Sequence, residues 1–319
     1  MSAEALRMVQ KRRFRFGAQV SQAKTGSEWS DLARKIQDLG YSSLLIPDHF
    51  HDQLGPLVAL TAAAIAAPKL RIGALVFDND FRHPVALAKE AATLDLLTGG
   101  RLELGLGAGW SLFDYQRSGI PYDPPGVRID RLEEAIVVLK GLFGDGPFSF
   151  SGKHYQVTAL DGLPKPVQKP HPPFIIGAGR RRMLSIAARE ANIVNVSFSM
   201  LSGEWDHAAS ATGTAEATAE KMQWVRDAAG DGLDRIELSV PVFGGQVTGN
   251  RQQAAEEISA RYGLNSEEVL GSPHFLVGSI DGIVEELEHR REEYGFSYII
   301  FSRGTYETMA PVVARLAGT

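Results

Sequence analysis

The chain has 319 residues, 44% hydrophobic and 22% charged, with a net charge of −5 and no cysteine. That balance excludes a disordered or collagen-like chain, and the missing cysteine excludes disulfides, thiolate zinc, iron–sulfur clusters and a cysteine nucleophile. Mild acidity argues against general binding to nucleic acid or to an acidic membrane, and no run approaches the ~18 apolar residues of a membrane span.

The predicted elements begin after a basic tail over 1–13, expected to be flexible. Its Lys11-Arg12-Arg13 is not followed by the apolar segment of an export signal, so a cytoplasmic protein is expected. A strand over 14–20 leads to a helix over 28–39 stopped at Gly40, and a strand over 42–47 to a helix over 56–67 opened by Pro56. A strand over 70–77 leads to a helix over 84–97, between Pro84 (preceded by His83, read as structural) and the Gly99-Gly100 stop. The strand over 101–106 alternates Arg101 and Glu103 with leucines, an expected inward ion pair, and a helix over 126–143 follows. Residues 144–172 hold five prolines and an alternating run from Phe148 to Val157, which reads as an inserted hairpin turning at Ser151-Gly152. Strands over 173–177 and 192–198 precede helices over 180–190 and 204–229. After a strand over 235–242, a second insertion over 243–280 carries an extra helix near 251–261. A helix over 281–294, N-capped by Asp281 and stopped by Gly295, a strand over 297–302 and a helix over 306–316 complete the chain.

Strict alternation of strand and helix implies parallel strands joined by right-handed crossovers. Eight such units favour closure into a (β/α)8 TIM barrel over an open doubly wound sheet. The expected organisation is one domain over 1–319, with the 144–172 and 243–280 insertions at the C-terminal mouth.

In a barrel the site is built from the segments that follow the strands. Here these are Asp48-His49-Phe50-His51-Asp52, Asp78-Asn79-Asp80, Gly107-Ala108-Gly109-Trp110 and Gly177-Ala178-Gly179-Arg180. The last ends a strand and opens a helix, so its backbone N–H groups, the helix dipole and Arg180, Arg181 and Arg182 suit an anion; the alternative is a strand cap beside a solvated arginine run. His49-x-His51 resembles the start of a metal-hydrolase site, but the later strand ends supply no further ligands, so no metal is expected. Otherwise Asp48 fixes the tautomer of His49, which then serves as a proton donor or ring partner, or the two histidines simply face solvent. No Gly-x-Ser-x-Gly elbow is present. What remains suits a phosphate-bearing planar cofactor.

The stretches Leu70–Trp110, Pro172–Arg180, Ala187–Asn195 and Leu276–Leu287 resemble the luciferase-like monooxygenase superfamily, and within it the oxidoreductases that use the deazaflavin coenzyme F420. The resemblance spans about residues 14–316. It implies a (β/α)8 barrel, a homodimer, and a non-prolyl cis peptide at Leu75–Val76 (or Ala74–Leu75) behind the ring. It also implies that Asp48 and His49 face the ring edge, that Gly107, Ala108 and Gly109 line the cofactor, that Trp110 stands on the substrate side, and that Gly177, Ala178, Gly179 and Arg180 bind its phosphate. Hydride transfer between coenzyme F420 and a small ketone, imine or enone follows, with His49, Asp48 and Trp110 as the catalytic group. With FMN instead, a two-component monooxygenase follows; a non-catalytic barrel that binds deazaflavin or flavin is the third reading. Two residues depart from the pattern. Asp78 is unfavourable beside an anionic ring unless it turns away or pairs with Arg82, and Trp110 stands where some relatives place a catalytic glutamate.

Overall fold

A computed structural model describes residues 12–302 and 304–319. The tail expected over 1–13 lies, up to residue 11, outside the described residues. Eight parallel strands close into a (β/α)8 barrel: β1 (Arg15–Gln19), β2 (Ser43–Ile46), β3 (Arg71–Ala74), β4 (Leu102–Gly107), β5 (Phe174–Ala178), β6 (Ile193–Val196), β7 (Glu237–Val242) and β8 (Phe296–Phe301). Their order around the sheet is β3-β2-β1-β8-β7-β6-β5-β4, with β3 pairing β4 to close it. By contact density the chain forms two compact units, one of residues 20–37 and 43–176, the other of 38–42, 177–319 and the described part of 1–19.

In the first unit β2 and β3 pair from Ser43↔Arg71 to Ile46↔Ala74. The expected strand over 70–77 is interrupted: Leu75–Val76 is a cis peptide, and the chain resumes at Phe77–Asp78, opposite Leu106 and Gly107 of β4. Glycine on β4 answers this break. A Cβ on Gly105 would run into the carbonyl of Ala74, and one on Gly107 into the Val76 side chain. Arg101 does not pair with Glu103. Its guanidinium donates to the carbonyls of Leu70 (2.6 Å) and Ala64 (3.0 Å), while Glu103 takes Arg71 at 2.7 Å. Alternation along one strand puts both residues on one face, but the neighbouring strand and a helix end offered each a better partner. The inserted hairpin forms from Pro147–Ser151 and Gln156–Asp161. Its turn is wider than Ser151-Gly152, because the Glu134 carboxylate collects the N–H groups of Lys153 (2.7 Å), His154 (2.8 Å) and Tyr155 (3.0 Å).

In the second unit β1 pairs β8 from Arg15↔Tyr298 to Ala18↔Phe301. The single helix expected over 204–229 is two, His207–Ala211 and Ala215–Ala229, each opened by its own cap, Asp206 and Thr214. Gly213 between them lies flush against the Phe198 ring, where a Cβ has no room. Buried Lys221 ties this break down by donating to the carbonyls of Ser197 (2.7 Å) and Thr212 (2.6 Å). Ser279, not Asp281, caps the helix Ile280–Tyr294; Asp281 pairs with Arg315 instead. The second insertion adds the helices Arg251–Tyr262 and Ser266–Gly271 and a short parallel pair, Gly244–Val247 with Phe275–Gly278. These close a small core of Ala254, Ala255, Val269 and Phe275 around Phe198. The last helix is shorter than expected, Ala310–Leu316. No helix among the described residues is long and apolar enough to cross a membrane.

Substituting Gly105→Ala is expected to destabilise the protein by about 1–3 kcal/mol or more, because Ala74 backbone must move. A urea unfolding curve with unchanged midpoint would show that β4 does not need glycine there.

Candidate functional site

The segment after β2 carries Asp48 and His49, which the structure gives different partners. Asp48 is buried and accepts from the Asp78 N–H (3.1 Å) and from both terminal nitrogens of Arg82, the longer bond being 3.2 Å. It therefore does not set the tautomer of His49, which corrects that expectation, and of the two ways out left to Asp78, pairing with Arg82 is not the one taken. The partner of His49 is Asp114, whose Oδ2 lies 2.6 Å from Nδ1.

Asp114 was missed by the sequence reading. It sits in the short helix Leu112–Ser118, capped by Ser111, and is 1% exposed. Burial alone pushes its carboxyl up, but the N–H of Phe50 (2.7 Å) and the bond from His49 outweigh that, with Ser111 adding to them, and hold it below the ordinary carboxylate range. An ionised carboxylate only accepts, so Nδ1 of His49 carries the proton that lies on this bond, and Nε2 is the nitrogen left free of Asp114. Ser111-x-x-Asp114 directly after a Gly-Trp pair has the spacing of a helix-capping box, the one signal that pointed to an ordered acid there.

His49 is partly exposed, its ring edge-on to Trp110 (5.4 Å between centroids) and stacked on His51 (5.0 Å). Trp110 is positioned through its backbone: its carbonyl accepts from the Tyr122 hydroxyl at 3.0 Å, and the preceding Gly109 carbonyl from Arg128 at 2.7 Å. Gly109 has a φ of +72° and its missing Cβ makes room for the Tyr115 hydroxyl and the Asp78 carboxyl. Among the described residues no cation pairs with Asp78. Burial pushes its carboxyl up to about 7, with Asp80 and Asp48 adding to the shift and the Asp80 N–H and Tyr115 opposing it. Asp80 in turn is paired with Arg131 at 2.7 Å. His83 caps its helix by accepting from the Val85 N–H at 3.2 Å.

Asp48, His49, Leu75, Val76, Gly107, Ala108, Gly109 and Trp110 thus belong to one unit and Gly177, Ala178, Gly179 and Arg180 to the other. Arg180 is the N-cap of the helix Arg181–Glu190 and makes no side-chain capping bond, so the first helical N–H groups have no side-chain partner from it. Arg180, Arg181 and Arg182 are exposed there. Gly179 has a further reason to be glycine, since a Cβ would collide with the backbone of Phe198. Among the described residues no group of three or more His, Asp or Glu side chains could hold a metal ion.

The family model described as luciferase-like monooxygenase matches residues 12–294. An FMNH2-dependent dimethylsulfone monooxygenase of Pseudomonas putida is 34% identical over 133 residues, 41% of this chain and 36% of that protein. The chain thus spans about a third of that relative's length, and about half that of several other curated relatives. Among solved structures, the coenzyme F420-dependent tetrahydromethanopterin reductase of Methanopyrus kandleri superposes with a TM-score of 0.76 at 18% identity, over 96% of this chain and 99% of that one. An F420-dependent secondary alcohol dehydrogenase, in complex with an F420–acetone adduct, also superposes with a TM-score of 0.76, at 15% identity and the same coverage.

Replacing Asp114 by Ala leaves the Phe50 N–H and His49 Nδ1 without their acceptor and is expected to cost about 1–3 kcal/mol. Because Asp114 titrates below its unfolded value, its contribution is present at neutral pH and is lost as pH falls through the folded value. The Ala variant should therefore lose part of the acid sensitivity of the wild type. Equal slopes of stability against pH below about pH 5 in both proteins would contradict this.

Proposed function

The chain belongs to the luciferase-like monooxygenase family, and on that premise we propose that it is an oxidoreductase transferring a hydride between coenzyme F420 and a small ketone, imine or enone. The observation that carries this reading is the His49–Asp114 pair. Reduction of a C=O or C=N bond needs a proton at the heteroatom as the hydride arrives at carbon, and oxidation needs that proton removed. His49, with its tautomer set by buried Asp114, presents Nε2 for either task, and Trp110 walls its edge.

The donor set fits the coenzyme. In this reading Gly177, Ala178, Gly179 and Arg180 hold its phosphate through helix N–H groups that no Arg180 side-chain bond caps, with the exposed arginines suiting an acidic tail. Leu75, Val76, Gly107, Ala108 and Gly109 line the ring, and Asp48 and His49 face its edge. When bound, the deazaflavin supplies the two-electron chemistry; the chain supplies orientation, exclusion of water and the proton at His49. Asp48, held by Arg82, keeps the segment leading to His49 in place.

A second reading is an FMN-dependent two-component monooxygenase, favoured by the FMNH2-dependent relative from Pseudomonas putida. We further propose a single cytoplasmic catalytic domain that acts as a homodimer. Helix Pro56–Ala66 is apolar on nearly every face, yet leaves Val58 80% and Ile65 79% exposed, as a surface between two copies requires.

Equilibrium binding of oxidised coenzyme F420 and of FMN, followed side by side by fluorescence, separates the readings: tighter binding of the deazaflavin is expected, and micromolar binding of neither sinks both. With whichever coenzyme binds, His49→Ala should slow hydride transfer by roughly 10²–10⁴-fold while changing the dissociation constant far less. Equal losses in both would remove its proton-transfer role. For the assembly, Val58→Glu should convert a dimer to a monomer in light scattering, and a monomeric wild type would refute the proposed interface.

A further inference from the structure

Around the Tyr115 hydroxyl the hydrogen bonds can be counted. The oxygen carries one proton and lies 2.9 Å from Oδ2 of Asp80 and 3.2 and 3.3 Å from Oδ2 and Oδ1 of Asp78, with the Arg128 guanidinium as a further donor to it. Asp80 is the ionised acceptor of the two, since its Oδ1 takes Arg131 at 2.7 Å. With the tyrosine proton directed to Asp80, a carboxylate at Asp78 would set lone pair against lone pair at 3.2 Å. The contact becomes a hydrogen bond only if Asp78 itself donates. Its Oδ1 is occupied in accepting the Asp80 N–H at 2.9 Å, which leaves Oδ2 to carry the proton.

We propose that Asp78 is a neutral carboxylic acid whose Oδ2–H donates to Tyr115, and that this proton makes Asp78 the positioning residue for the helix that orients His49. Tyr115 is adjacent to Asp114 in the helix Leu112–Ser118, and Asp114 sets the His49 tautomer. The ordered chain is therefore Asp78–Tyr115–Asp80–Arg131 from one residue of that helix and Asp114–His49 from the residue before it. If Asp78 ionises, two carboxylates compete for one hydroxyl proton, and the helix loses an anchor one residue away from the group that holds His49.

The charges around Asp78 all agree with a retained proton. Asp48 from the segment after β2 and Asp80 from its own turn are acidic neighbours. The nearby cations among the described residues have other partners than Asp78: Arg82 on Asp48, Arg131 on Asp80 and Asp123, and Arg128 on the Gly109 carbonyl, the Tyr115 hydroxyl and the Tyr122 ring at 4.3 Å. Burial of a carboxyl with acidic neighbours and no cation favours the neutral form, consistent with titration near about 7.

This inference deepens the proposed reaction only in the role it gives His49; the proton on Asp78 stands independently of any coenzyme. The test is therefore made on the protein alone. Infrared spectra recorded across pH should show a protonated-carboxyl C=O band at about pH 6, well above the ordinary carboxylate range. The band should be absent from Asp78→Asn and should disappear in the wild type as pH rises through about 7. The His49 ring resonances should shift over that same range in the wild type and lose that step in Asp78→Asn, whose amide still donates to Tyr115. Asp80→Asn provides a second check: it removes the acidic neighbour and frees the tyrosine proton for Asp78, so the band should vanish at lower pH. No Asp78-dependent band at about pH 6, a band unmoved by Asp80→Asn, or His49 resonances indifferent to the Asp78 titration would each overturn the proposal.

Discussion

Four carboxyl groups, Asp48, Asp78, Asp80 and Asp114, are buried where β2, β3 and β4 deliver their following segments, and the local structure is organised by the need to satisfy each. Burying an unpaired charge is costly enough that each carboxyl must find a cation, a set of N–H donors, or a proton. Asp48 takes Arg82, Asp80 takes Arg131, and Asp114 takes the Phe50 N–H and His49. Asp78 has a single backbone N–H donor and, among the described residues, no cation, and there the hydroxyl of Tyr115 and a retained proton complete the set. One helix, Leu112–Ser118, brings both Asp114 and Tyr115 into this arrangement, so a single seven-residue element links the histidine to the acid cluster.

Glycine provides the room for these groups. Close approach between the broken third strand and β4 is possible because Gly105 and Gly107 present no Cβ to Ala74 and Val76. Gly109 then turns the chain with positive φ against the Tyr115 hydroxyl and the Asp78 carboxyl, and places Trp110 beside His49. In the other unit, Gly179 and Gly213 both yield to Phe198, one to its backbone and the other to its ring. The clustering of glycines at strand ends therefore reports tight chain crossings.

Much of the fold was legible in sequence. Strand–helix alternation, the Pro starts at Pro56 and Pro84, and the Gly stops at Gly40, Gly99 and Gly295 located the barrel elements within a few residues, and the Leu75–Val76 cis bond lies where the family resemblance placed it. The misses share one cause, competition between partners distant in sequence. Arg101 and Glu103 were matched by adjacency on one strand, yet backbone carbonyls and Arg71 lay closer in space. The helix over 204–229 had continuous helical composition, but contact with Phe198 at Gly213 broke it. Asp281 looked like a cap by residue type, although Ser279 stood two positions nearer the helix start.

The family, the (β/α)8 architecture and the rim on which chemistry-bearing residues collect follow from local order along the chain: period, turn residues and motif spacing. The assignment of partners did not. Whether Asp48 serves His49 or Arg82, whether Asp78 meets a cation, and whether Asp114 matters at all depended on which groups the crossovers brought within hydrogen-bond distance. Periodicity records which face a residue occupies, whereas charge pairing depends on distances between segments far apart in sequence, from the 34 residues separating Asp48 from Arg82 to the 65 separating His49 from Asp114. Only the folded chain measures those distances.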